Sequence, residues 1–410
     1  MNELNTRFVY GLRLIGRGVS AGRKLCAVLN LPPFLSKLAF HQQEKKLLSA
    51  AISIGEKIMN DAAKGIRQLK KSIHGTVNCG VSVDGTWQRR GFSSLNGCVS
   101  AISVDTGKII DFETLSQLCR KCNSKTEQQN VELQCNHHKG SSSSMEPVGA
   151  YRTFERSENH RMLRYTDYYR VGDSKAFDAV KDIYGKDSVT KLKCIGHIQK
   201  RVGTRLRKLK SRNKGLGGKS AVIAAFFHCC SSKHQPKHGQ FPVGDESWCK
   251  FQRAKASNIV YQDKSLGLPL NIVNTIKPVY MNLCDRNLLK KCLHGKTQNP
   301  NESFNAILWQ VLPKEVFVEH QTLRLGAYIA VVQFNNGFQG LISILNEMGI
   351  VSGYYTIRGQ KIFDNERIAD SKRQSLPTAK TCRRKLRAIR KKRNIKIEEE
   401  EGITYKTGEF

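Results

Sequence analysis

Residues 81–115 read VSVDGTWQRRGFSSLNGCVSAISVDTGKIIDFETL. Val81 and Val83 alternate with polar neighbours, the period-two pattern of a strand with one buried face. Residues 97–104 form a second such run, Asp105, Thr106 and Gly107 supply a turn, and residues 108–115 form a third. Three antiparallel strands in a meander are the economical reading. It puts Asp84 at the close of the first strand, immediately before Gly85.

Upstream, residues 12–69 are largely helical in pattern, with a turn at Leu29-Asn30-Leu31-Pro32-Pro33 and a second helix from about residue 42. Downstream, residues 119–144 are polar and rich in Cys, His and Ser, which reads as an insertion. A short amphipathic helix follows near 148–156, then a strand near 164–172. A helix from Ser174 places Ala176, Phe177, Val180 and Ile183 on one face, and a strand follows at 189–195. Strand, helix, strand implies a parallel pair. Three antiparallel strands, then helix, strand, helix, strand, helix, is the order of the RNase H-like fold. The predicted class is therefore α/β: an RNase H-like mixed sheet flanked by helices, with a helical N-terminal lead-in and Cys/His-rich insertions. The expected organisation is a helical region at 1–75, the first part of the core at 76–210, and an insertion at 211–278. Helices at 279–350 complete the core, and 351–410 form a tail whose Arg/Lys cluster at 383–393 gives way to Glu398 through Glu401. No internal repeat is found.

The chain has 410 residues, 39% of them hydrophobic, enough for a packed core, and this excludes a disordered protein. Its 68 Lys and Arg outnumber 34 Asp and Glu, a formal charge of +34 that favours a polyanionic partner, nucleic acid first. The helical stretch from Gln199 turns Val202, Leu206 and Leu209 inward, and Lys200, Arg201, Arg205, Arg207, Lys208 and Lys210 outward as a DNA-binding face. No run approaches the ~18 apolar residues of a membrane span, and residues 326–332, the longest candidate, fall far short. The first residues, MNELNTRFVYGLRLIGRG, lack the apolar core of a secretory leader, so an intracellular setting is expected. There the 13 Cys, several beside His, read as thiols or metal ligands rather than disulfides.

Four stretches, VSVDGTWQRRGFSSLNG, VGDSKAFDAV, KLKCIGHIQKR and HGKTQNPNESFNAILW, resemble in this order the Mutator-like transposase domain of animal transposons. The resemblance runs from about residue 18 to 391, with NPNESFN and CIGHIQKR the most specific parts. It implies an RNase H-like core in which two Asp and one Glu bind two divalent metals for phosphodiester cleavage and strand transfer. Carboxylates are hard oxygen ligands suited to Mg²⁺ or Mn²⁺, and two such ions can activate the attacking oxygen and stabilise the leaving one. Carried onto this chain, the acidic set is Asp84, Asp173 and Glu302. Asp84 has the alternative of an Asp-Gly hairpin turn. Glu302, in the first turn of a helix opened by Pro300, has the alternative of merely complementing the helix dipole. The family pattern Gly-Asp-Gly-Asp-Ser-Lys appears here as Arg170-Val171-Gly172-Asp173-Ser174-Lys175. If the earlier Asp is the ligand, Val171 has removed it and Asp173 only caps a helix; if the later, Asp173 completes the triad. The text after Gly217-Gly218-Lys219 is also shorter than the family suggests, and the two departures together suggest a decaying or domesticated copy.

Cys194 and His197 resemble the family's Cys/His pair, and their Cys-x-x-His spacing suits two ligands on one structural Zn²⁺. The other two ligands come from Cys292 and His294, or from His238 and Cys249; the plain alternative is a buried Cys and a His at a helix start. Cys119, Cys122, Cys135 and His137 have knuckle-like spacing, and a second structural Zn²⁺ there competes with a reduced, solvent-facing loop. The resulting expectation is a nuclear, DNA-binding, homo-oligomeric transposase that nicks transposon ends and joins them to target DNA. A catalytically inactive, domesticated DNA-binding protein of the same fold is the first alternative. A basic, zinc-stabilised RNA-associated protein is the second.

Overall fold

The computed structural model describes residues 3–32, 35–71, 75–88, 94–118, 137–170, 175–192, 226–228, 230–232, 236–239, 243–245, 247, 249–261, 267–283, 285, 298–314 and 316–401. They divide into two compact units, Met1–Phe334 and Asn335–Phe410.

The first unit opens with helices α1 (Glu3–Leu14), α2 (Val19–Val28) and α3 (Lys37–Leu69). Phe40, Leu47, Ala51, Ile54, Ile58, Ala62 and Ile66 are all buried and from Leu47 onward recur at three- and four-residue steps, so α3 presents one apolar stripe. It begins earlier than the hydrophobic period suggests, because the Ser36 hydroxyl caps it by accepting from the Ala39 N–H at 3.1 Å. α1 likewise begins at Glu3, ahead of the residue 12 at which the helical pattern becomes legible.

Strands β1 (Val77–Trp87), β2 (Asn96–Ser103) and β3 (Ile109–Ser116) follow as the antiparallel meander. Next come α4 (Met145–Glu155), α5 (Ser157–Arg161), β4 (Leu163–Tyr169), α6 (Lys175–Val180) and β5 (Thr190–Leu192). The sheet order is β3-β2-β1-β4-β5, with β1, β4 and β5 parallel. This five-stranded mixed sheet flanked by helices fits the RNase H-like class expected from the sequence. α6 is shorter than its apolar pattern, ending at Val180 before Ile183. Helices α7 (Lys250–Ala256), α8 (Leu270–Leu283), α9 (Asn299–Val311) and α10 (His320–Gly340) come after the sheet. No described helix is long and apolar enough to cross a membrane.

The two faces of the sheet differ in chemistry. Val81, Val83, Val99, Ala101 and Leu115 form one core with Met145, Ala150 and Phe154 of α4. Gly149 permits the close approach of α4, since a Cβ there would stand 2.6 Å from Val99 Cγ2. The other face of β1 carries Ser82, Asp84 and Thr86, and β2 adds Ser100. Helices on that face meet buried polar groups as well as aromatic ones. Tyr328 of α10 packs edge-on against Phe112 of β3, at 4.8 Å between centroids, and sits over Gly55 of α3. Arg161, almost wholly buried, ties α5 to α3 and β3 by donating to Glu56 and Asn60 at 2.8 Å each and to the Ile110 carbonyl at 2.7 Å.

In the second unit, α11 (Ile342–Glu347) is followed by α12 (Tyr354–Ser375) and α13 (Pro377–Glu401). The chain breaks helical geometry at Gly337, whose φ is +75°. Asp364 of α12 accepts there from the Phe338 and Gln339 N–H groups at 3.0 Å each, while Phe363 packs on Phe338. The basic run from Arg383 lies on α13, exposed as far as Arg390.

Candidate active site

Asp84 lies within β1 rather than at its close. Asp84 pairs with Ser100 and Gly85 with Val99, and the strand continues to Trp87. This corrects the expected end of the first strand and removes the hairpin-turn alternative for Asp84-Gly85, because both residues are extended and laddered to β2.

The NPNESFN helix lies against this strand. α9 starts at Asn299 with Pro300 in its first turn, and Glu302 falls in that turn, as the sequence predicts. Three rungs dock α9 on the polar face of β1. Ser82 Oγ donates to Asn301 Oδ1 at 2.6 Å, Asn305 Nδ2 donates to Asp84 Oδ2 at 2.9 Å, and Trp309 Nε1 donates to Thr86 Oγ1 at 2.7 Å. The spacing explains the match. Alternate strand residues repeat at roughly 6.6 Å and every fourth helical residue at roughly 6.0 Å, so two side chains per period stay opposed over three rungs. Asn301, fully buried, also donates to the Ser82 carbonyl at 3.1 Å and to Ser100 Oγ at 3.4 Å. Glu302 follows Asn301 and precedes Asn305 by three residues, so it lies on the flank of the docking stripe, within one turn of the side chain that holds Asp84. Asp84 is half-buried and Glu302 exposed.

Two further charged residues belong to this neighbourhood. Arg170, just past the end of β4, forms an ion pair with Glu146 of α4. Glu146 in turn lies beside Gly85, where a Cβ would stand 3.1 Å from its carboxyl carbon. Burial pushes the Arg170 guanidinium below its usual range, and the charge of Asp84 acts in the opposite sense. Glu146 carried no sequence signal, since it lies just ahead of the helix expected near 148–156.

Asp173 and Val171 lie outside the described residues, as do Lys200, Arg201, Arg205, Arg207, Lys208 and Lys210. The same holds for Cys194, His197, Cys292, His294, Cys119, Cys122 and Cys135. His137 is described and half-buried, and its neighbour His138 is buried, with Nε2 at 2.8 Å from Ser144 Oγ. His238 and Cys249, the alternative zinc ligands, do come together, and with them His228, which the sequence reading missed.

Residues 2–240 match the sequence model of the family described as Mutator-like transposase, more than half of the chain. The chain belongs to that family. No curated protein matches it. Membership suggests a transposition-related function, and the matched span covers the whole sheet with Asp84, together with Glu146 and Arg170.

Proposed function

We propose that this chain binds DNA and cleaves and transfers its strands with the help of divalent metal, using Asp84 and Glu302, with Asp173 as the third carboxylate. The observation that carries this reading is the docking of α9 on β1, which puts the Glu302 turn beside the strand that bears Asp84. An all-oxygen carboxylate set suits Mg²⁺ or Mn²⁺ by hardness. Bound there, such an ion supplies Lewis-acid activation of a phosphodiester and of the attacking hydroxyl. The protein's own part is to hold the carboxylates still. Asn305 fixes one Asp84 oxygen by donating to it through its amide. Arg170, held by Glu146, sets a fixed positive charge near Asp84, where an anionic phosphate backbone also has to approach. The reading further takes the protein to be nuclear and to act as a homo-oligomer.

A nicking assay on supercoiled plasmid with Mn²⁺ tests the proposal. Wild type should nick, and Asp84→Asn and Glu302→Gln should each abolish it. Val171 favours a second reading, a DNA-binding protein that has lost cleavage. In that case wild type is silent and Val171→Asp restores nicking. If neither wild type nor Val171→Asp nicks, the proposed chemistry is wrong.

A further inference from the structure

The insertion after the sheet holds a cluster that the acidic site does not use. His228 Nδ1 or Nε2, one His238 ring nitrogen and Cys249 Sγ all lie within 4.8 Å of one another. His238 and Cys249 are buried, and their closest approach, Nδ1 to Sγ, is 3.6 Å. We propose that His228, His238 and Cys249 bind one Zn²⁺ ion that cross-links this insertion.

The distance fits. A thiolate at about 2.3 Å and an imidazole nitrogen at about 2.05 Å from one tetrahedral ion stand roughly 3.6 Å apart. The orientation fits as well, because a metal-bound imidazole directs one nitrogen at the ion and donates the other N–H to an outer partner. His238 turns Nδ1 toward Cys249 and Nε2 toward Ser231 Oγ at 3.2 Å. Ser231 is itself fixed, since its hydroxyl oxygen accepts from the Lys237 N–H at 2.9 Å. Phe251 stacks on the His238 ring at 4.7 Å, Tyr261 meets it edge-on, and Gln252 donates to the His238 carbonyl at 2.9 Å.

His228 brings a further ring, 5.4 Å from that of His238 between centroids, to the same point. The donor set of two nitrogens and one sulfur suits zinc and not the hard Mg²⁺ or Mn²⁺ of a carboxylate site. Among the described residues of the insertion the apolar clusters are small: Phe226 and Cys230 packed by Leu268, Ile272 and Val273, and Cys249 packed by Phe251. In so small a core a metal cross-link supplies folding free energy directly. The fourth coordination position is left to water or to another side chain.

The test is zinc content of the purified full chain, with Co²⁺ substitution as the optical readout. Wild type should carry one more equivalent of zinc than Cys249→Ser or His238→Ala, and its Co²⁺ form should show a sulfur-to-cobalt charge-transfer band that weakens in Cys249→Ser. If Cys249→Ser does not fold, Cys249→His decides: it should keep the zinc equivalent and lose intensity in that band. Zinc content unchanged in the alanine and serine variants, an undiminished band in Cys249→His, or wild type without zinc overturns the proposal.

Discussion

Replacing Asn301 by Ala removes three hydrogen bonds at a point where α9 meets the sheet and water is excluded. The Ser82 hydroxyl loses its acceptor, and the Ser82 carbonyl and the Ser100 hydroxyl each lose a donor. Net hydrogen-bond contributions of ~1 kcal/mol, with the added penalty for buried groups left unsatisfied, put the expected loss at about 2–4 kcal/mol. Asn301→Asp should be worse, because it replaces two donors by acceptors and buries a charge on the face that carries Asp84. Ser303→Ala, an exposed position on the same helix, should stay within about 0.5 kcal/mol of wild type. Urea unfolding followed by tryptophan fluorescence reports this contact well, since Trp309 sits two turns further along α9 with its indole bonded to Thr86. If Asn301→Ala is no more destabilising than Ser303→Ala, α9 is not held on β1 by these rungs, and the placement of the Glu302 turn against β1 loses its support.

Gly149→Ala should destabilise by about 1–3 kcal/mol in the same assay, because its Cβ drives into Val99 and Leu115; a neutral effect would contradict the close packing of α4 on the sheet. Burial raises the Asp364 carboxyl, but the Gln339 and Phe338 N–H groups and Arg367 lower it more, so it ionises below the usual carboxylate value. The stabilisation it lends is therefore fully present above roughly pH 3.9 and fades as pH falls through the lower folded value. Asp364→Asn should remove that part of the acid dependence of thermal unfolding, and identical profiles for the two proteins would refute the contact. On DNA, replacing Arg205, Arg207 and Lys208 with Ala should flatten the slope of log affinity against log salt by about 2–3, at ~0.9 per lost phosphate contact. A slope equal to wild type would place the DNA on another surface.

The meander and the α4 core were legible because alternating Val and Ile positions face one apolar layer, and a period of two is a local signal. The start of α9 was legible for a similar reason, since Pro300 at a helix opening is a local preference. Asp84-Gly85 misled because Asp-Gly is a strong turn dipeptide, whereas here β2 pairs with both residues. What keeps the strand extended is a partner elsewhere in the chain, and no window around residue 84 contains it. The rungs from Asn301, Asn305 and Trp309 were invisible for the same reason, joining residues more than 200 apart. His228 was missed because its spacing to His238 and Cys249 matches no short ligand motif, and only the folded insertion brings the three together.

We propose that Asp84 and Glu302 serve one divalent cation. Isothermal titration of Mn²⁺ into zinc-loaded protein tests it most directly, with wild type beside Asp84→Asn, Glu302→Gln and the exposed control Ser303→Ala. Wild type and Ser303→Ala should show a carboxylate-dependent site whose affinity falls at least about tenfold, or about 1.4 kcal/mol, in each acidic variant. Equal Mn²⁺ affinity in all four proteins would contradict it.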